Sequence, residues 1–319
     1  MSDGAQRRAD RERAAGSRAS GADAPAGRDA DASETAGGRP LTVDTTAGPI
    51  AYAEYGDPDG APVLFLHGTP GSRVLGRLYD DEARRRGVRV LAPDRPGYGE
   101  SAPRPGRSPA DAPAFLIPVL DDAGVAAAGV IAFSGGAPYA LAMAADRPDR
   151  VAGVDLVSGA APASLHEATP AVERLLGATA RTTPRLLAGA LAAQAWIADR
   201  GRPGIVVSQY TTGDPGDAVT DAVADVVARD FVAAVGRQRA GAVRESRLMG
   251  ADWDVSLGGV STPVSLHHGA DDANVPVASA RNLRDRLPEA DLTVQEGDDH
   301  LTALLRSRAA VLDRYAEGA

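Results

Sequence analysis

The chain has 319 residues, of which 34 are basic and 43 acidic, for a formal net charge of −9, and it contains no cysteine. That length admits one large α/β domain with an insertion or two ordinary domains, and the acidic balance argues against nucleic acid or an anionic membrane as the main partner. Without cysteine, disulfides, thiolate chemistry and cysteine-based zinc sites are excluded, and the redox compartment leaves no trace.

Residues 1–40 contain no Val, Ile, Leu, Phe, Tyr or Trp. Such a segment cannot bury enough apolar surface to offset its ordering entropy, so a disordered tail is expected there. Its arginines and acids are equal in number, which leaves the negative charge to the rest of the chain. No stretch has the apolar centre of a secretory signal or the roughly 18 apolar residues of a membrane helix. A soluble, cytoplasmic protein with neither a membrane nor a nucleic-acid partner is the expectation, and the oligomeric state stays open.

From Leu41 the texture changes. Residues 41–56 alternate around Gly48-Pro49 as a two-stranded hairpin would. Pro62-Val-Leu-Phe-Leu66 reads as a buried strand that ends in the tight loop His67-Gly-Thr-Pro-Gly71, and a polar helical stretch runs on to Arg86. Val88 to Asp94 gives another strand, Arg95-Pro-Gly-Tyr-Gly-Glu-Ser101 a rigid loop, and Ser108 to Ala123 a helix. Gly129-Val-Ile-Ala-Phe-Ser-Gly-Gly-Ala-Pro-Tyr139 then reads as strand, sharp turn and helix: Val130, Ile131 and Phe133 are the apolar run, Gly135 and Gly136 the turn, and Pro138 suits a first helical turn. Ser134 falls at the apex, where an elbow exposes a hydroxyl and the next helix aims backbone N–H groups at the same point. The first small position of the usual Gly-x-Ser-x-Gly pattern is Ala132 here.

Val151 to Ser158 is the following strand. Between Pro162 and Asp254 the strand signal fades, and Ala, Leu, Val and Arg recur at helical spacing. Strand texture resumes at Pro263 to Gly269 and at Asp291 to Glu296, with helices over 278–287 and 301–315. Alternating strands and helices argue for an α/β fold: a mostly parallel sheet with helices on both faces and functional loops at the carboxyl ends of its strands. The expected organisation is a tail (1–40), the first part of the core (41–161), a helical lid (162–254) and the second part of the core (255–319).

Five motifs in order, His67-Gly-Thr-Pro-Gly71, Asp94-Arg-Pro-Gly-Tyr-Gly-x-Ser101, Phe133-Ser-Gly-Gly136, Gly269-x-x-Asp272-x-x-x-Pro276 and Gly297-x-x-His300, resemble those of the α/β-hydrolase superfamily. Within it the chain is similar to lid-bearing, esterase-like serine hydrolases. The resemblance implies a Ser134 nucleophile, an Asp272 acid and a His300 base, with no metal or organic cofactor and a small-molecule substrate. Elimination also favours His300: His67 closes a strand loop, His166 opens the lid, His267 and His268 end a strand, and His300 alone follows the last strand in a polar loop. Of the adjacent acids Asp271 and Asp272, the spacing to Pro276 favours Asp272.

The resemblance further implies an oxyanion hole made by the backbone N–H groups of Thr69 and Gly135, for which the side chain at 69 should matter little. The 94–101 loop is expected to be architectural. Trp196, Tyr210, Phe231 and Trp253, the larger rings of the lid, are candidates for an acyl pocket, against the plainer expectation that they form lid core. Asp298 and Asp299 are expected in a solvent-facing loop. An esterase reading stands beside three others: a ligand-binding member of the fold without catalysis, a carbon–carbon bond hydrolase, and an aminopeptidase-like hydrolase. The last typically has a Trp where this chain has Gly135.

Overall fold

The structure is a computed structural model, and it describes residues 40–166, 171–201, 203–213, 216–248 and 251–316. Apart from Pro40, the expected tail lies outside the described residues.

Eight strands form one sheet: β1 (Leu41–Val43), β2 (Ile50–Gly56), β3 (Ala61–Leu66), β4 (Val88–Pro93), β5 (Ala128–Phe133), β6 (Val151–Val157), β7 (Val264–Gly269) and β8 (Ala290–Gln295). Their order is β1-β2-β4-β3-β5-β6-β7-β8. β1 pairs antiparallel with β2, and β2 antiparallel with β4; every other pairing is parallel. The hairpin turn holds Gly48 at φ 104, a conformation that favours glycine.

The central strands are apolar without interruption because both faces are covered. Val63 and Phe65 of β3 join one core cluster, while Leu64 and Leu66 join the other. On β5, Val130 and Ala132 divide in the same way from Ile131 and Phe133. This is the two-residue side-chain period read through a buried sheet.

One face is covered by α2 (Pro113–Asp122), α3 (Ala137–Asp146) and α9 (Val277–Arg284), the other by α1 (Asp80–Arg85) and α10 (His300–Ala316). Between β6 and β7 the described residues form α4 (Ala171–Thr182), α5 (Pro184–Ala198), α6 (Gly204–Val207), α7 (Asp221–Val235) and α8 (Ala240–Leu248). Val207, Val227, Phe231 and Val235 of this insertion belong to the second cluster. Leu175, Leu186 and Trp196 are exposed on its outer surface. Among the described residues no helix is long and apolar enough to cross a membrane.

Below the sheet's centre, Asp155 of β6 accepts hydrogen bonds from Tyr315 Oη (2.5 Å) and Arg314 (2.8 Å) and lies 2.9 Å from His267 Nε2. Asp155 and His267 are thereby tied to each other across β6 and β7.

Candidate active site

β5 ends at Phe133, and the chain turns at once into a 3-10 turn (Ser134–Gly136) and α3. Ser134 has φ 51, the left-handed region that a residue with a Cβ rarely adopts. The strain is held by close packing: a Cβ on Gly136 would come 2.5 Å from the Leu66 carbonyl, and the Ser134 carbonyl accepts the Ala160 amide at 3.0 Å. Ser134 is half-buried.

Of the two adjacent acids, Asp271 is exposed, and Asp272 is buried facing His300. Asp272 Oδ2 accepts from His300 Nδ1 at 2.7 Å, and Oδ1 accepts the amides of Asn274 and Val275, both at 2.9 Å. Burial pushes this carboxyl up, but the facing His300 and its hydrogen bond outweigh burial and hold it below the ordinary range. With Nδ1 engaged, Nε2 is the imidazole nitrogen left for chemistry. The Phe133 ring lies 4.8 Å from the imidazole, centroid to centroid. His268, expected only to close a strand, stands behind the pair: its Nε2 is 2.7 Å from the Val275 carbonyl and 3.4 Å from Asp272 Oδ2.

Two expectations are corrected here. His300 is the first residue of α10 and is buried, not a member of a polar loop. Asp298 and Asp299 are buried as well. Asp299 caps the helix reciprocally: its amide donates to Thr302 Oγ1 at 2.8 Å, and its Oδ1 accepts the Thr302 amide at 3.0 Å. Its other oxygen accepts the Thr212 amide. Asp298 pairs with Arg306 at 2.7 Å, outside hydrogen-bond alignment. Ser158, for which no role is expected from the sequence, is a second non-glycine residue at positive φ (47°), and its hydroxyl donates to the His300 carbonyl at 3.1 Å. It follows β6 as Ser134 follows β5, and that strand-end position was the signal available.

The loop after β3 meets the elbow. A Cβ on Gly135 would lie 2.2 Å from Thr69 Oγ1 and 3.3 Å from the Thr69 amide nitrogen, so residue 135 is glycine because Thr69 occupies the space. The Thr69 amide has no acceptor among the described residues, and that of Gly135 opens a helical turn, where N–H groups lack intrahelical partners. The side chain at 69, expected to matter little, is engaged: Thr69 Oγ1 donates to Glu245 Oε2 at 2.5 Å. His67 is buried, with Nδ1 2.8 Å from the Gly68 carbonyl and Nε2 accepting the Arg95 amide at 3.2 Å. Burial and then Arg95 push its pKa well down, so it is a neutral strut.

The four rings of the insertion part company. Tyr210 lies beside the site, its ring nearly parallel to that of His300 with centroids 6.1 Å apart. Phe231 is buried in the core cluster on the same sheet face. Trp253 packs against the opposite cluster with Val255 and Leu257. Trp196 is 59% exposed with Arg200 over its ring, so it lines nothing. Leu75, Phe133, Tyr210, Val227 and Leu301 border a cavity of about 10 Å³, room for roughly one water. A cavity of about 490 Å³ elsewhere is bordered by Tyr55, Val74, Arg77 and Arg229 and by none of the residues just described. Chemistry, not size, identifies the candidate site.

A sheet of this order, with loops converging at the carboxyl ends of its parallel strands, defines an α/β protein that works at the edge of its sheet. The chain belongs to the α/β hydrolase fold family, whose model matches residues 61–306. An α/β hydrolase fold protein from Nakamurella multipartita is similar in structure with a TM-score of 0.65 at 22% identity, over 88% of this chain and 100% of that one. The enol-lactonase from Burkholderia xenovorans LB400 gives 0.66 at 19% identity, over 85% and 96%. At such identities the likeness is one of fold. The uncharacterized hydrolase YcgS of Bacillus subtilis (strain 168) is 31% identical over 110 residues, 34% of this chain and 38% of that protein. The chain thus spans well under two thirds of the length of the curated relatives it matches.

Proposed function

We propose that the protein is a serine hydrolase that cleaves a small or medium carboxylic ester through an acyl-enzyme, with Ser134 as nucleophile, His300 as general base and acid, and Asp272 as the orienting carboxylate. The observation that carries this reading is the 2.7 Å contact between Asp272 Oδ2 and His300 Nδ1, on a carboxylate whose other oxygen is fixed by two amides. Such a carboxylate sets the imidazole tautomer and stabilises the imidazolium without taking its proton.

Ser134 Oγ attacks the ester carbonyl as His300 Nε2 takes the hydroxyl proton, and the tetrahedral oxyanion is received by the Thr69 and Gly135 amides. Collapse expels the alcohol, to which the imidazolium returns the proton. Water, activated by the same nitrogen, then releases the acid and regenerates Ser134. The segment 162–254 acts as a lid in this reading, with Tyr210 on the acyl side. The occupancy of the space over Gly135 by Thr69 favours the esterase over the aminopeptidase-like reading, because it leaves no room for a Trp there.

The test is a panel of p-nitrophenyl esters of rising acyl length beside an aminoacyl-anilide, with a fluorophosphonate probe. Ser134 should be labelled, and Ser134→Ala should abolish labelling and lower turnover by about a million-fold. Labelling that persists in the variant removes Ser134 from the role; an inert wild type favours the ligand-binding reading.

A further inference from the structure

The insertion buries a charge against the loops that follow β3 and β4. Glu245 of α8 is 4% exposed and lies between two buried guanidiniums. Arg95 grips it twice, Nε to Oε1 at 2.9 Å and Nη2 to Oε2 at 2.7 Å, and Arg107 Nη2 donates to Oε1 at 2.7 Å. Tyr98 Oη donates to Oε2 at 2.8 Å. Burial alone would push this carboxyl up; Arg95 and then Arg107 hold it well below the usual range. One helical turn earlier, Gly241 meets the 94–101 loop so closely that a Cβ would stand 2.5 Å from the Tyr98 ring, while its amide donates to the Gly97 carbonyl at 2.9 Å. Gln238 adds bonds to the carbonyls of Tyr98, Gly99 and Ser101, and Arg244 one to that of Arg107.

What this cluster holds is the loop after β3. Arg95 donates to the carbonyls of both His67 and Gly68, the two residues before Thr69. Glu245 itself accepts the Thr69 hydroxyl. The peptide that presents the Thr69 amide is therefore fixed on one side through its preceding carbonyls and on the other through its own side chain. Arg107 extends the grip to Tyr139 of α3, the helix of the elbow. A buried carboxylate needs hydrogen bonds for all its lone pairs, and here one of them comes from the residue packed against Gly135, the neighbour of Ser134.

We infer that Glu245 is a positioning residue for the oxyanion hole: through the Thr69 hydroxyl and Arg95 it aims the Thr69 amide, and it makes that aim depend on the seating of the insertion's last helix. The inference rests on the serine hydrolase reading. Glu245 touches no reacting atom. Its effect is on the transition state, where a group misplaced by about 1 Å can cost about a hundredfold in rate.

Thr69→Val cuts the link with little change of shape and leaves Glu245 paired with Arg95, Arg107 and Tyr98. Thr69→Ser restores the hydroxyl. With p-nitrophenyl butyrate, Thr69→Val should lower kcat by about ten- to a hundredfold with KM unchanged, below the full loss of an oxyanion donor. The affinity of a trifluoromethyl ketone should fall in the same proportion, and Thr69→Ser should stay within about threefold of wild type. Hydrogen exchange over residues 67–73, which needs no substrate, should quicken in Thr69→Val and not in Thr69→Ser. Glu245→Gln should repeat the kcat loss and also lower Tm by about 10 °C, since it leaves buried guanidinium charge uncompensated. Equal kcat and equal exchange across the Thr69 series, a loss borne by KM alone, or a Thr69→Ser as impaired as Thr69→Val overturns the inference. Fluorophosphonate labelling of Ser134 in wild type reports the hydrolase reading separately: labelling with a silent Thr69 series sinks the positioning role alone.

Discussion

The sheet edge and the helical insertion contribute to the candidate site in opposite ways. At the edge, local sequence makes local geometry: a strand, a left-handed serine and a helix put Ser134 where it stands, and Asp272 reaches His300 from the next loop but one. The insertion brings acids instead, and their environments diverge. Glu245 meets two guanidiniums and is held ionised. Asp230 of α7 is equally buried but meets no guanidinium in its hydrogen bonds: it accepts from Ser72, amide at 2.7 Å and hydroxyl at 2.8 Å, with a backbone bond from Leu75, and burial pushes it up to about 7. Both grip the same loop, one at Thr69 and one at Ser72. The edge carries the proposed reacting groups, whereas the insertion supplies buried acids that hold the loop beside them.

The largest effect that sharpens this contrast belongs to the edge. Asp272→Asn should lower turnover by roughly ten-thousand-fold, because the amide favours the wrong tautomer of His300. Asp271→Asn, one residue away, should change it by less than about threefold, because that side chain is exposed. Steady-state kinetics on both variants checks this, and the reverse ranking would transfer the orienting role to Asp271.

The strands and the elbow were legible in the sequence because their signals are short-range: an apolar run, two glycines, a proline at the first helical turn. The pairing of Asp272 with His300 was legible through motif spacing. Glu245 was not, since its partners lie 138 to 176 residues away and a lone Glu on an Ala- and Arg-rich helix reads as a solvated face. Asp298 and Asp299 misled for the reverse reason: an acid-rich turn reads as hydrated unless one knows that α10 begins at His300 and that Asp299 is its cap. Buried charge is set by tertiary partners, and composition carries no trace of them.

Asp230 offers a pH test of the insertion's buried acids. An unfolded aspartate titrates near 3.9, whereas Asp230 in the folded protein titrates about 7. Between those values the native state keeps a proton that the unfolded chain has released, so stability falls as pH rises from about 4 to about 7 and then levels. The slope contributed is at most about 1.4 kcal/mol per pH unit. Asp230→Asn, neutral throughout and able to accept the Ser72 amide, should lack that fall. Urea unfolding from pH 4.5 to 8 should show wild type losing ground to the variant as pH rises; parallel curves would mean that Ser72 suffices to keep the carboxylate charged.

The smallest effect concerns the one ring of the insertion that reaches the site. Tyr210 lies almost parallel to His300, donates to the Pro70 carbonyl at 3.3 Å, and through its own carbonyl accepts the Leu301 amide at 3.1 Å. With Phe133 and Leu301 it closes a cavity of about 10 Å³, which holds no more than roughly one water. Tyr210→Ala keeps the backbone bond to Leu301 and opens the volume of a phenol ring. Each acyl methylene that finds apolar contact there is worth about 0.8 kcal/mol, so two or three of them should move the kcat/KM ratio of p-nitrophenyl hexanoate to acetate upward by about ten- to fiftyfold. Trp196→Ala is the control from the same insertion: its ring faces solvent, so the ratio should not change. An unchanged ratio in Tyr210→Ala as well would place the acyl group elsewhere and leave the ring as support for the imidazole.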